Sequence, residues 1–192
     1  VTSLSLNGKN QVFIGAENEF GFLNQDKNGR YTYQSLSDSV LKSKHDFSII
    51  WATYCINDDV FFCSNEKIFR YSNKQITVFN PEKDRFHTFF NIDDHLFVRE
   101  FGVGFKIFEN NDLHFVLGSE IFADKKVYSV MHIKDNKYMV ASRDGGINFL
   151  HLNEKHPSQS SFSKANSKID DWLFNNELYC GKKITDNVFS LG

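Results

Sequence analysis

Val12-Phe13-Ile14-Gly15-Ala16-Glu17-Asn18-Glu19-Phe20-Gly21-Phe22-Leu23 is the stretch whose reading decides the fold. Three apolar residues run together and end on the small pair Gly15-Ala16. A polar knot follows, and then a second apolar run from Phe20 to Leu23. Each run is too short for a helix and too apolar for a loop, so the pattern predicts a hairpin of two short, buried strands. Asn18 supplies a residue that tolerates positive φ in the turn.

The same pattern returns along the chain. It recurs as DDVFFCS from Asp58, DDHLFVRE from Asp93, DNKYMVAS from Asp135 and DNVFSLG from Asp186. The first strongly apolar positions are Val12, Val60, Leu96, Tyr138 and Phe189, so the spacings are 48, 36, 42 and 51 residues. Their mean falls in the roughly 40–50 residues of a propeller-blade repeat. A second strand follows each burst, as in KIFRY from Lys67, VGFKIF from Val103 and GGINFL from Gly145. A third reads as RYTYQSL from Arg30, QITVF from Gln75, LHFVLG from Leu113 and, weakly, SSFSK from Ser160. A fourth precedes each new burst: FSIIWATYCI from Phe47, RFHTFFNI from Arg85, VYSVMHI from Val127 and ELYCGKKIT from Glu177. No helix is expected; the best candidate, Ser35 to Ser43, carries too short an apolar pattern.

The bursts are apolar at successive positions, whereas a sheet with one wet face alternates. They are therefore read as the innermost strands of an all-β propeller, packed between neighbouring four-stranded antiparallel blades. The expected blades are 12–59, 60–95, 96–137 and 138–188. Residues 1–7 are read as the last strand of a preceding blade, and 189–192 as the start of the next. On this phase the chain is an arc of a larger ring of about seven blades, completed by blades of the same or another chain. Exposed blade faces then favour self-association.

Composition agrees. Among 192 residues 16% are aromatic, with 21 Phe against two Trp, and Phe suits half-buried pleated surfaces. A net charge of -2 with no basic block argues against nucleic acid. No apolar run is long enough to span a bilayer. Val1 without a preceding Met reads as an excised or processed start. Cys55, Cys63 and Cys180 show neither metal-ligand spacing nor a disulfide framework, and read as buried, inert thiols. In the expected phase Cys55 and Cys63 belong to different blades, too far apart to crosslink.

With the repeats laid out, the chain resembles the two-component regulator propeller family. The matching residues are Val12-Phe13-Ile14-Gly15-Ala16 and Gly145-Gly146-Ile147-Asn148-Phe149, with NGRYTYQSL from Asn28 and the run from Asp170 to Gly192. No blade keeps the family's Trp, and Arg99-Glu100 replaces its Gly-Thr pair. The resemblance implies a periplasmic sensory or ligand-binding propeller of a membrane-bound regulator. A triple-tyrosine sandwich, a membrane helix and a histidine kinase or DNA-binding output would lie elsewhere in such a protein. It implies a small-molecule or glycan-derived ligand, contact with the membrane only through other parts, and no catalysis in this segment. A protein-binding scaffold is the alternative, and a propeller hydrolase or lyase acting on glycans the third reading.

Chemistry-bearing motifs are few. His45, His87, His95, His114, His132, His151 and His156 form no metal-ligand or catalytic pattern. Asp58-Asp59, Asp93-Asp94 and Asp170-Asp171 are carboxylate pairs, a type that serves glycosidases. Two of them recur just before a burst, which is the placing of a turn. No catalytic residue, metal site or cofactor is expected. The charges that stand out are Arg99, Glu100, Arg143 and Asp144, at strand ends where other repeats carry small residues. They can be read as a ligand-contacting cluster, as a structural ion-pair network, or as solvent-exposed groups.

Overall fold

A computed structural model describes residues 1–40 and 46–192. His45 and the last three residues of the Ser35–Ser43 segment lie outside the described residues. Before them, Ser37–Ser39 forms a single 3-10 turn.

The chain divides into two compact units, Val1–Asp94 and His95–Gly192. The first unit holds two four-stranded antiparallel meanders, each in chain order. One is β1 (Ser3–Leu6), β2 (Val12–Gly15), β3 (Phe20–Gln25) and β4 (Tyr31–Ser35). The other is β5 (Ala52–Ile56), β6 (Asp59–Cys63), β7 (Ile68–Ser72) and β8 (Gln75–Phe79). β9 (Phe86–Ile92) closes this unit. The second unit continues with β10 (His95–Glu100), β11 (Gly104–Glu109) and β12 (Asp112–Phe115). Another four-stranded meander follows: β13 (Val127–Lys134), β14 (Lys137–Ser142), β15 (Gly146–His151) and β16 (Ser161–Lys164). Helix α1 (Asp170–Asn175) and the hairpin of β17 (Gly181–Thr185) and β18 (Val188–Leu191) end the chain.

Repeated four-stranded antiparallel meanders of this kind are the blades of a β-propeller. The turns follow from their residues. β7–β8 closes through Asn73-Lys74 and β11–β12 through Asn110-Asn111, all four at positive φ. Two-residue hairpin loops with both φ values positive match the twist of the strands they join. Asp93-Asp94 has the same conformation, with φ of 45° and 58°. Asp170 and Asp171 differ: they form the first turn of α1, a helix that the sequence reading did not expect.

The phase of the sheets departs from expectation by one strand. β1 was assigned to a preceding blade, yet it pairs with β2 through Leu6↔Val12 and Ser3↔Gly15. Likewise β5 pairs with β6 and β13 with β14. The apolar burst is thus the second strand of its sheet. Burial explains both the error and its correction. β6 is buried from Val60 to Cys63 and β10 from Leu96 to Glu100, so two dry faces do mark these strands. The first strands instead carry small hydroxyls where neighbouring sheets approach. Ser3 Oγ lies 2.8 Å from Thr53 Oγ1, and the Cys55 amide donates to Ser5 Oγ at 3.0 Å. Fourth strands are wettest, with four of the five residues of β4 exposed. At the end of the chain, β18 pairs with β17, from Gly181↔Leu191 to Thr185↔Val188.

The first unit's core is aromatic. Phe20 is fully buried, with ring centroids 4.5 Å from Phe62, 4.7 Å from Phe69 and 5.7 Å from Phe47. Phe13 extends the cluster towards Phe22 and Tyr71.

Strand pairing also revises the cysteines. Cys55 and Cys63 occupy adjacent strands of one hairpin, where Cys55 opposes Val60 and Cys63 opposes Ala52. Being three positions out of register, they point to opposite faces of the sheet, so this hairpin does not bring the thiols together. Cys180 is exposed, contrary to the expectation of three buried thiols. Burial pushes the Cys63 thiol far above its ordinary value. With a thiol reagent at neutral pH, Cys180 should react in a fast phase. Cys63 should react only on unfolding. Equal rates for the two would contradict this packing.

Candidate functional site

Arg99 and Glu100 end β10, and Arg143 and Asp144 lie in the turn after β14. Both strand ends lead into a hairpin of the same size, since Glu100 pairs with Gly104 and Ser142 with Gly146. Gly104 and Gly146 have φ of 128° and 66°. A Cβ on Gly104 would lie 2.5 Å from the Ser119 carbonyl oxygen. On Gly146 it would run into the Asp170 carboxyl group. These turns therefore let the next segment of chain close over them.

Arg99 is fully buried. Its Nε donates to the Phe122 carbonyl at 3.0 Å, and one terminal nitrogen donates to the Ala123 carbonyl at 2.7 Å. The guanidinium carbon stands 3.7 Å from the centre of the Phe101 ring. Glu100 is equally buried, and Lys106 Nζ on β11 reaches its carboxylate at 2.9 Å. The sequence reading did not select Lys106. Its signal was there: GFKIF places one cation inside an apolar strand, where a long charged residue needs a partner.

Arg143 serves the following segment in a similar way. Its Nε and one terminal nitrogen donate to the carbonyls of Leu178 and Glu177, both at 3.2 Å. The Glu177 carboxylate stands 4.0 Å from the other terminal nitrogen. The guanidinium carbon lies 5.1 Å from the Tyr128 ring centre, and Tyr128 packs against Tyr179 at 5.0 Å. Asp144 Oδ1 accepts the Lys126 amide at 2.8 Å. Tyr128, Glu177 and Tyr179 were also not selected from sequence.

A common pattern emerges. Arg99 holds the segment that enters β13, and Arg143 holds the segment that enters β17. In the first unit, Asn65 does the same with neutral chemistry: its amide nitrogen donates to the Phe86 carbonyl at the start of β9, at 2.7 Å. The four predicted residues are thus sorted by neighbours. Glu100 joins Lys106 in a buried pair, Asp144 holds an amide, and the two arginines tie down successive connections. Arg143 stands beside the exposed groups Glu177 and Tyr179, and Asp144 beside the exposed Lys126, whereas Arg99 and Glu100 are buried.

Four of the His and carboxylate candidates take structural positions. His132 Nε2 contacts the Asp135 carbonyl oxygen at 2.7 Å, and His151 Nε2 contacts Ser163 Oγ at 3.1 Å. Asp59 Oδ2 accepts Arg70 Nε at 2.6 Å. Asp170 accepts the Ile147 amide at 3.1 Å and pairs with Lys164 at 2.9 Å. Among the described residues, no group of three or more His, Cys, Asp and Glu side chains is arranged to hold a metal ion.

No protein-family model matches the chain. No curated protein matches it either. Among solved structures, it is similar to selenomethionine-substituted virginiamycin B lyase from Staphylococcus aureus, with a TM-score of 0.47 and 10% identity. The similarity covers 100% of this chain and 83% of that one. Among the described residues, no helix is long and apolar enough to cross a membrane.

Proposed function

We propose that this chain is the sensory, ligand-binding propeller segment of an extracytoplasmic signalling protein, of the two-component regulator type. It senses and transmits; catalysis belongs to another part of such a protein. The observation that carries this reading is the pair of arginine clamps. Arg99 and Arg143 each fasten the connection that feeds the next first strand. A small polar ligand that competes for Arg143 or its carbonyl partners alters how that connection seats. A ligand shifts a conformational equilibrium only through such differential contacts. The motif resemblance at Val12–Ala16 and Gly145–Phe149 points to the same class.

A binding screen tests this. A panel of small sugars and sugar acids is titrated into isotopically labelled protein while backbone amide signals are followed. The expected result is saturable shifts at Arg143, Glu177 and Leu178. If every panel member leaves those signals unmoved, the ligand-sensing reading fails at this site.

The second reading, a protein-binding scaffold, is favoured by a different observation. Leu4 and Leu6 on β1 are 61% and 58% exposed, and Ile184 and Val188 on β17–β18 are 58% and 51% exposed. Apolar sheet faces of this kind fit neighbouring blades, whether of a partner or of a second copy.

A further inference from the structure

One carboxylate in the first unit is held in an unusual way. Glu19 lies in the turn between β2 and β3, and a single oxygen, Oε1, faces three hydroxyl donors. Tyr33 OH donates at 2.8 Å, Ser35 Oγ at 3.0 Å and Ser37 Oγ at 2.5 Å. Tyr33 and Ser35 belong to β4, the outermost strand of the first sheet, and Ser37 to the 3-10 turn just after it. Among the described residues, few other contacts secure β4. Tyr31 to Gln34 are exposed, and apart from the ladder to β3 the strand has an Asn24–Gln34 side-chain bond and a long contact of 3.5 Å from Thr32 Oγ1 to the Asn24 carbonyl, while Ser35 Oγ also accepts the Asp38 amide at 3.2 Å. Gly21 makes room for the grip: a Cβ there would come within 2.6 Å of the Tyr33 hydroxyl.

We infer that Glu19 is an acid-sensitive latch: as a carboxylate it fixes the outer strand β4, and on protonation it releases that strand while the rest of the sheet stays folded. The chemistry follows from charge. Hydrogen bonds to an ionised acceptor are roughly twice as strong as neutral ones. A protonated Glu19 keeps acceptor capacity but gains an O–H donor that competes with the three hydroxyls.

Among the described residues, the other titratable groups set against the latch are Tyr33 on β4 and Asp38 on the 3-10 turn. Asp38 acts on Tyr33 as a negative charge, reinforcing its protonated, donating state. Burial works to raise the Glu19 carboxyl, but the bonds from Ser37, Tyr33, Ser35 and the Phe20 backbone outweigh it and hold the group below its ordinary value. A depressed carboxyl contributes stability that is present above its unfolded value and lost as pH falls through the folded one. Release therefore belongs below about pH 4, given an unperturbed Glu near 4.3. At the alkaline end, burial and then Glu19 itself push the Tyr33 phenol well above its ordinary value. A raised phenol contributes stability that is lost only as pH rises above its unfolded value, so the latch stays shut from weak acid through neutral pH.

Hydrogen exchange on the whole chain tests the latch, with rates corrected for the intrinsic effect of pH. In the wild type, protection across β3–β4 should fall severalfold between roughly pH 6 and pH 3.5, while the β6–β7 ladder holds. Glu19→Gln should show that loss already at neutral pH and lose the pH dependence. Glu19→Ala, which removes all three bonds, should loosen β4 further. If Glu19→Gln keeps the wild-type pH profile, or if β3–β4 and β6–β7 lose protection together, the latch is refuted.

Discussion

Glu100→Ala should cost the second unit about 3–5 kcal/mol, the range for stranding one partner of a buried ion pair. Both partners are inside: the Glu100 side chain is 0% exposed and that of Lys106 8%. Removing the carboxylate leaves the Lys106 ammonium in the interior with its nearest countercharge gone. The effect comes from desolvation more than from lost attraction. For that reason the double variant Glu100→Leu/Lys106→Met should recover most of the loss, because a buried pair replaced by apolar groups of similar volume is often neutral or better. Urea unfolding of the two single variants and the double variant makes the test. A double variant as unstable as the sum of the singles would show that the pair's charge is not the origin of the cost.

Phe20→Ala should be comparably damaging in the first unit, by about 3–5 kcal/mol. Phe20 touches Phe47, Phe62 and Phe69 at once, so truncation opens a cavity that three rigid rings cannot close. For a chain of this length that corresponds to a fall of roughly 10 °C in the midpoint of that unit. Phe20→Leu keeps much of the volume and should lose less than half as much. Thermal unfolding followed by near-ultraviolet circular dichroism reports the change. Equal losses for Ala and Leu would mean that ring stacking, not volume, dominates the site.

These expectations rest on positions that differ in how openly the sequence shows them. The burst strands were legible, because Val60 to Cys63 is apolar at every step and proves buried at every step. The strand before each burst was legible as a strand but not as a partner. Ser3-Leu4-Ser5-Leu6 looks the same whether it ends one blade or begins another; only the Leu6↔Val12 pairing decides. Helix α1 escaped because six residues span less than two turns, too few for a helical period to show. At the candidate site, the four selected charges were visible as departures from small residues. Their pairings were not. Lys106 meets Glu100 only across a hairpin, and the carbonyls that Arg99 and Arg143 hold carry no side-chain signature at all.

The sheets' connectivity bears on how the chain acquires its structure. Every described meander runs in chain order, through turns as short as Asn73-Lys74 and Asn110-Asn111. Most ladder partners are therefore separated by a few to a dozen or so residues, as from Ser72↔Gln75 to Gly21↔Ser35. Closing such small loops costs little chain entropy, and β proteins fold slowly chiefly when their pairings are distant. Each sheet can therefore zip from its own turns before any face meets a neighbour. The slow step that remains is docking, when Ser3 must find the Thr53 hydroxyl, and Ser5 the Cys55 amide, across finished sheets.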